Sequence, residues 1–232
     1  MEAIILAGGF GTRLIDAVKD VPKPMALING RPFLEYILTH LQEQGITKVV
    51  LSVGYMNKVI SDHFRFRYGT IDIEYSIEET PMGTGGGILQ SLNFVNSNPV
   101  LIVNGDTFFQ IDISKLLSIH NEKDADVTIA IKYMEDPSRY GTIKFDEAGR
   151  LTSFVEKVKG RNGYINGGIY LVNKDILQSA SMPEVFSFEI DFLNKLSKDL
   201  NIRIMQSDNY FIDIGTPNDF EAAQREMGTL YD

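Results

Sequence analysis

The feature that most limits the fold of this chain is a short apolar run, residues 3–7, which ends directly in Gly8 and Gly9. A continuous apolar run of this length is typical of a strand that is buried on both faces of a parallel sheet. Residues 48–53 and 100–103 form two further runs with the same β-branched character. We therefore expect a parallel sheet whose strands end in loops at one edge.

Helical patterns separate these runs. Apolar residues from Phe33 to Leu41 recur at helical spacing, and Gly45 is placed to end that helix. A similar pattern covers residues 88–95. Alternating strands and helices imply right-handed βαβ crossovers. The fold class is therefore predicted to be α/β, with a Rossmann-like, mixed but mainly parallel sheet flanked by helices.

After Asp106 the pattern changes to closely spaced strands. They are predicted at residues 125–132, 142–145, 151–156 and 164–172, with a turn at 146–149. A last helix is predicted to begin at Thr216 and Pro217, because threonine can cap a helix and proline suits its first position. We expect one domain over residues 1–232, in which the second half forms a strand-rich lobe.

Composition excludes several classes of protein. The chain has 22 Lys and Arg residues against 31 Asp and Glu residues, so its formal net charge of −9 argues against nucleic-acid or anionic-membrane partners. The absence of cysteine removes disulfides, thiolate metal sites and cysteine nucleophiles. No leader-like segment follows Met1 and no apolar run reaches transmembrane length. We therefore expect a cytoplasmic protein.

The first strand leads into a segment, residues 8–13, that contains three glycines, a threonine and an arginine. This composition is typical of a loop whose backbone amides bind phosphates. The segment lacks the third glycine of a dinucleotide fingerprint, since Leu14 stands there, and it lacks the Gly-Lys-Ser/Thr ending of a P-loop. Taken alone, a glycine turn after a strand is equally compatible with a structural role.

Lys23 stands between Pro22 and Pro24, which restrict the backbone on both sides of it. Such rigidity suits a positioned cation, although a solvated lysine in a turn is the alternative. Arg13 and Lys23 both follow the first strand, so both could reach one polyphosphate.

Two carboxylates, Asp106 and Asp213, stand where apolar strands end. Carboxylate oxygens beside phosphates are ligands that Mg²⁺ accepts. A turn former at Asp106 and a helix cap at Asp213 are the alternative interpretations.

In their order along the chain, the motifs resemble those of the sugar-1-phosphate nucleotidyltransferases. The matching segments are residues 6–14, 22–24, 81–86, 104–106, 156–157, 166–168 and 211–217. The resemblance extends over roughly residues 1 to 227. It implies nucleotide and sugar-phosphate sites that face each other across a cleft, with residues 1–112 binding mainly the nucleotide and 113–232 mainly the sugar phosphate. The implied reaction converts a nucleoside triphosphate and a sugar 1-phosphate into a nucleotide-sugar and pyrophosphate.

The resemblance also implies site residues. The catalytic residues are Arg13, Lys23, Asp106 and Asp213, of which Asp106 and Asp213 bind Mg²⁺. The nucleotide site comprises Leu6, Ala7, Gly8, Gly9, Gly11, Thr12, Arg13, Lys23, Glu78, Pro81, Gly83, Thr84 and Asp106. The sugar-phosphate site comprises Asn104, Tyr140, Gly141, Glu156, Lys157, Asn166 and Gly168.

The implied reaction needs no general base, because a phosphate monoester has a second pKa of about 6 and is largely ionised near neutrality. We expect Arg13 to act mainly on the transition state and Lys157 on the sugar phosphate. The three histidines have no ligand or triad spacing and receive no role, and His40 is predicted on the polar side of its helix.

Glu78 carries the prediction of the base. At this position many thymidylyl- and uridylyltransferases of the family have glutamine. A carboxylate only accepts hydrogen bonds, which suits the two adjacent N–H donors of guanine, so we expect GTP. The alternative is that Glu78 points to solvent and that backbone near residues 6–8 reads the base. Uridylyl- and cytidylyltransferases of the same family therefore stay open.

Two other classes compete with a transferase. A nucleotide-binding regulatory module would lose metal or clamp residues that this chain keeps. A nicotinamide dehydrogenase would need an acidic residue near the end of the second strand, where Ser52, Val53 and Gly54 stand. We expect a monofunctional enzyme, because the chain ends shortly after the last motif, and the sequence leaves a homodimer open.

Overall fold

The structure is a computed structural model that describes residues 1–9, 21–140, 142–155 and 162–230. Its strands are β1 (Glu2–Leu6), β2 (Leu27–Ile28), β3 (Arg31–Pro32), β4 (Lys48–Val53), β5 (Arg67–Tyr68), β6 (Ile71–Ile77), β7 (Val100–Asn104), β8 (Thr107–Phe109), β9 (Val127–Met134), β10 (Thr142–Phe145), β11 (Leu151–Val155), β12 (Gly163–Val172), β13 (Ile202–Gln206) and β14 (Phe211–Asp213). Its α-helices are α1 (Phe33–Glu43), α2 (Asn57–Phe64), α3 (Gly83–Ser91), α4 (Ile113–Glu122), α5 (Lys174–Ser179) and α6 (Pro217–Glu226). A π-helical segment covers Phe188–Asn194, and a 3₁₀ turn covers Lys23–Met25.

The main sheet follows the order β11-β10-β12-β7-β1-β4-β6-β5, and β9 pairs with both β12 and β13. Strands β7, β1, β4 and β6 are parallel. Strand β12 runs antiparallel to β7, β9 and β10. The predicted fold class is confirmed, because a parallel centre flanked by helices joins a strand-rich second half at β12.

Both faces of the parallel strands are buried, as their continuous apolar runs predict. In β1, Ile5 packs into one core cluster with helix α1, and Ile4 packs into a second cluster with helix α3. The alternation of side chains along a strand places these neighbours on opposite faces. Helix α1 begins and ends as predicted, and Gly45 has a φ of +78° just after it.

Helix α3 begins earlier than predicted. The sequence pattern indicated a helix over residues 88–95, whereas the α-helix covers Gly83–Ser91 and a 3₁₀ turn follows at Leu92–Phe94. Glycine has low helix propensity and therefore hides the first turn from a sequence pattern. The glycines are there because the turn packs closely: a Cβ on Gly86 would lie 2.5 Å from the backbone oxygen of Glu184.

His40 does not lie on the polar side of α1, so that prediction is wrong. Its side chain is buried and its Nε2 lies 3.0 Å from the backbone oxygen of Ile111. Three residues after Ile37, His40 falls on the apolar face of the helix. Burial lowers the pKa of His40, so the neutral ring can donate to that carbonyl.

A separate two-stranded sheet joins β8 to β14 in antiparallel register, with Thr107 opposite Asp213. Helix α6 follows β14, and the Thr216 hydroxyl accepts a hydrogen bond from the Asp219 N–H at 3.4 Å, which confirms the predicted cap. Among the helices in the described ranges, none has both the length and the apolar character needed to cross a bilayer.

Candidate active site

A cleft of about 1430 Å³ lies at the carboxyl ends of the parallel strands. Parallel sheets place ligand sites at this edge because the loops that follow the strands diverge there. The cleft is lined by most of the residues that the sequence predicted for the site: Leu6, Ala7, Gly8, Gly9, Lys23, Glu78, Pro81, Gly83, Thr84, Asn104, Asp106, Tyr140 and Asp213. The fold thus brings together residues from both halves of the chain.

Other predicted residues are not part of this lining. Gly11, Thr12, Arg13, Gly141, Glu156 and Lys157 lie outside the described residues. Asn166 and Gly168 are described but do not line the cleft. Gly168 lies directly behind Asn104, since a Cβ on Gly168 would come within 2.8 Å of the Asn104 amide nitrogen.

Backbone approaches shape the floor of the cleft. The Gly105 N–H donates to the Leu6 carbonyl at 2.9 Å, which ties the end of β7 to the end of β1. A Cβ on Gly105 would lie only 2.6 Å from that carbonyl oxygen. Only glycine fits there without a shift of one of these two backbone segments.

The acidic pair forms because β8 and β14 are neighbours. Their pairing sets Thr107 opposite Asp213, and the Ile214 N–H donates to the backbone oxygen of Asp106 at 3.1 Å. The Thr107 hydroxyl lies 3.3 Å from Asp106 Oδ1 and 3.4 Å from Asp213 Oδ2. The two carboxylates therefore contact one hydroxyl, although 107 positions separate them in sequence.

Lys23 supplies a positive charge to this pair. Its Nζ lies 2.7 Å from Asp106 Oδ2, and its side chain is largely buried while that of Asp106 is more exposed. Burial is the main cause that raises the pKa of Asp213, and the carboxylate of Asp106 raises it further, against a smaller opposing effect of Lys23. The site therefore holds more negative charge than this lysine balances.

Arg139 is a cleft residue that the sequence reasoning missed. Its guanidinium forms two short hydrogen bonds with the carboxylate of Asp219 at the start of α6, and its Nη2 lies 3.9 Å from Asp213 Oδ1. It also lies 5.5 Å from the ring centre of Tyr140, whose pKa burial raises to about 12. Its only sequence signal was its place directly before the predicted Tyr140.

Glu78 does not point to solvent. Its side chain is half-buried; Oε1 accepts from the Ser52 hydroxyl at 3.1 Å and Oε2 accepts from the Met82 N–H at 3.2 Å. A Cβ on Gly8 would lie 3.1 Å from the same carboxylate. The carboxylate therefore has a fixed orientation beside the glycine loop.

The fold and the cleft define a nucleotide-handling protein of the α/β class, and the comparison with protein families agrees. The chain belongs to the nucleotidyl transferase family, which it matches over residues 2–229. The protein of Campylobacter jejuni named D-glycero-alpha-D-manno-heptose 1-phosphate guanylyltransferase is 50% identical over 220 residues, covering 95% of this chain and 97% of that protein. The protein of the same name from Aneurinibacillus thermoaerophilus is 46% identical over 227 residues, covering 98% of each.

A solved structure is also similar. HddC from Yersinia pseudotuberculosis, complexed with GMP-PN, superimposes with a TM-score of 0.86 at 33% sequence identity. The superposition covers 97% of this chain and 99% of that chain. The family and the fold are therefore those that the motifs predicted.

Proposed function

We propose that this protein transfers GMP from GTP to D-glycero-α-D-manno-heptose 1-phosphate and releases pyrophosphate. The observation that carries the proposal is the 50% and 46% identity, over nearly the whole chain, to two proteins named for this activity. Residues 75–78, 82–86, 104–109, 186–189 and 210–215 also resemble the heptose enzymes. Mannose-1-phosphate guanylyltransferase, which shares most of these motifs, is the alternative.

In this proposal the two sides of the cleft bind different substrates. Residues 1–112 contribute the glycine loop, Glu78 and the start of α3 to the nucleotide. Residues 113–232 contribute Tyr140 to the sugar phosphate and Asp213 to its metal, and Asn166 keeps its predicted place on this side although it does not line the cleft. Arg13 and Lys157, which lie outside the described residues, keep their predicted roles at the transition state and at the sugar phosphate.

The donor set of the acidic pair fits Mg²⁺. Asp106 and Asp213 present hard oxygen ligands 3.3 and 3.4 Å from one shared hydroxyl, and of these two carboxylates it is Asp106 that forms the ion pair with Lys23. Within the described ranges, no third His, Asp or Glu joins them in a metal-binding group. Mg²⁺ commonly takes one or two carboxylates and fills its other positions with water and substrate phosphates. When bound, it would neutralise charge on the phosphate oxygens.

The chain's own residues would then position the reactants. An ionised oxygen of the sugar phosphate attacks the α-phosphorus, a new P–O bond forms, and the bond to the leaving pyrophosphate breaks. No proton has to move to a side chain, since the attacking oxygen is already ionised near neutral pH. Lys23 adds positive charge beside Asp106, and the cleft holds nucleophile and leaving group in line.

Guanine suits the environment of Glu78. A carboxylate has about four sites for accepting hydrogen bonds, and the described residues use one on each oxygen. Each oxygen can therefore accept one more, and guanine presents N1–H and its amino group side by side. These bonds would be charge-assisted and about twice as strong as neutral ones.

The experiment is a matrix of GTP, UTP, CTP and ATP against heptose, mannose and glucose 1-phosphates, scored by pyrophosphate release with and without Mg²⁺. We expect the highest kcat/KM for GTP with the heptose 1-phosphate, and only when Mg²⁺ is present. A preference for UTP or CTP would overturn the guanylyl assignment. A preference for mannose 1-phosphate would overturn the sugar. No release with any pair would leave the regulatory module as the better interpretation.

A further inference from the structure

A chain of hydrogen bonds runs behind the cleft from α3 to β12. The Thr84 hydroxyl donates to Glu189 Oε2 at 2.8 Å, and the Tyr170 hydroxyl donates to Glu189 Oε1 at 3.1 Å. The Asn166 amide nitrogen in turn donates to the Tyr170 hydroxyl at 2.6 Å. The Ser187 hydroxyl also donates to Glu189 Oε2, at 3.2 Å. Glu189 is thus the common acceptor for groups from two distant parts of the chain, and Thr84 lines the cleft while Glu189 does not.

Each hydrogen bond in this series has a defined donor and acceptor. The Phe188 N–H donates to the Thr84 hydroxyl at 2.9 Å, so the hydroxyl proton of Thr84 is directed to Glu189. Tyr170 is fully buried, and its burial raises its pKa well above the ordinary value, so it remains a donor. Since Asn166 donates to Tyr170 from its amide nitrogen, the Tyr170 proton is directed to Glu189, which is the only acceptor that the described residues offer it.

Both ends of this series of hydrogen bonds are fixed to the surrounding structure. At the α3 end, the Gly85 N–H donates to the Phe186 carbonyl at 3.0 Å, and a Cβ on Gly83 would lie 2.5 Å from the same oxygen. At the β12 end, Asn166 Oδ1 accepts from the Gly168 N–H at 3.0 Å. Close packing leaves little slack, so a displacement of the Glu189 carboxylate would move both ends.

We propose that Glu189 is a positioning residue that holds Thr84 on the nucleotide side and Asn166 on the sugar-phosphate side in register with each other. The inference rests on the proposed function, because it takes its two sides from that assignment. None of the sequence motifs assigned a role to Glu189. Glu189 would act through Thr84 and Tyr170. The binding residues on both sides of the cleft would then be correctly placed before either substrate binds.

The test measures the KM for GTP and the KM for the sugar 1-phosphate separately, together with kcat and the melting temperature. Glu189→Ala should raise both KM values by about 3- to 10-fold, the effect of losing a hydrogen bond on each side. Thr84→Val should raise only the KM for GTP, and Thr84→Ser, which keeps the hydroxyl, should restore it. Tyr170→Phe should raise only the KM for the sugar 1-phosphate.

Glu189→Gln gives the sharpest result. We expect its carbonyl to face Tyr170, because the Tyr170 hydroxyl is fully buried and has no other acceptor among the described residues, whereas the Thr84 hydroxyl lines the cleft and can turn its proton there. The amide nitrogen then faces the Thr84 and Ser187 hydroxyls, which lose their acceptor. The KM for GTP should therefore rise while the KM for the sugar 1-phosphate stays within about 2-fold of the wild type. Glu184→Gln, on an exposed glutamate of the preceding loop, is the matched control and should change neither value.

Several results would overturn the proposal. One is a Glu189→Ala variant with both KM values unchanged; another is a loss of kcat that only follows the loss of folded protein. If Glu189→Ala does not fold, Thr84→Val and Tyr170→Phe decide, since unchanged KM values in both would remove the coupling. If the wild type releases no pyrophosphate with any substrate pair, the proposed function itself fails, which the wild-type matrix reveals before any variant is made.

Discussion

The wall of the cleft formed by the ends of β1, β4, β6 and β7 is joined by close backbone hydrogen bonds, whereas the region behind the cleft, around β12 and the π-helical segment, is joined by a series of side-chain hydrogen bonds. In the first wall, the Gly105 and Glu78 N–H groups donate to the carbonyls of Leu6 and Val53. In the second region, Asn166, Tyr170 and Glu189 bond through their side chains. Where two backbone segments approach this closely, an added side-chain atom causes a clash. Where side chains bond to each other, a substitution should be harmful mainly when it exchanges a hydrogen-bond donor for an acceptor.

The largest effect is expected at the acidic pair, which draws its two carboxylates from different halves of the chain. Asp106→Asn and Asp213→Asn keep the size of each side chain and remove its charge. We expect each to lower kcat by about 100- to 1000-fold, the range for losing one strong electrostatic contact at a transition state, with little change in melting temperature. Asp62→Asn, on an exposed aspartate of α2, is the control. Full Mg²⁺-dependent turnover in either test variant would contradict the metal assignment.

The next effect tests the backbone wall. Gly105→Ala places a methyl group 2.6 Å from the Leu6 carbonyl oxygen, so the free energy of unfolding in urea should fall by about 1–3 kcal/mol. Gly9→Ala, whose Cβ would meet none of the described atoms within 4 Å, should change it by less than about 0.5 kcal/mol. If the two variants are equally stable, the close approach of β1 and β7 is not what limits this position.

The next prediction concerns selection of the nucleotide base by Glu78, where we expect an effect of intermediate size. Glu78→Gln replaces an acceptor by a donor opposite guanine, and the preference for GTP over UTP should weaken by about 1–3 kcal/mol in kcat/KM. The exposed neighbour gives the comparison, because Glu79→Gln should keep the wild-type ratio. An unchanged ratio in Glu78→Gln would mean that another group reads the base.

The smallest effect compares two buried histidines, one in each half. Burial lowers the pKa of His40, whose Nε2 hydrogen-bonds the Ile111 carbonyl, and of His120, whose two nitrogens contact Thr128 and Asn173. A lowered pKa in the folded state means that the unfolded state binds the proton more tightly. Stability is therefore fully present above about pH 6.5 and is lost as the pH falls below it.

The measurement for the histidines is the difference between the melting temperatures at pH 7.0 and pH 5.5. His120→Gln should reduce this difference compared with the wild type, even though the variant is less stable at both values. His63→Gln, on a partly exposed ring, serves as the comparison. An unchanged difference in His120→Gln would assign the acid sensitivity to other groups.

The sequence predicted those parts of the molecule that depend on neighbours along the chain. The apolar run of β1, the helix of residues 33–43 and the cap at Thr216 each follow from a local pattern, and all three are present. The start of α3 was mispredicted because of its glycines. Glycine is required there by close packing against segment 184–186, which lies about 100 positions away in the sequence.

The site shows the same limit. Asp106 and Asp213 could be selected from their places at strand ends and from the family motifs, whereas their shared contact with Thr107 depends on the pairing of β8 with β14. Arg139 and Glu189 could not be selected, since neither their partners nor their orientation can be read from nearby residues. Contacts between side chains on distant elements are decided by packing, which a single sequence does not display.

The irregularity in β12 has a consequence for amide hydrogen exchange. The pairing of β12 with β9 shifts between Asn166 and Ile169, and Gly168, at a φ of +72°, donates its N–H to the Asn166 side chain. Amides in regular strands are protected by the neighbouring strand and report on unfolding of the sheet. The Gly168 amide instead reports on whether the Asn166 side chain is in place, so its exchange rate offers a label-free signal from this side of the cleft.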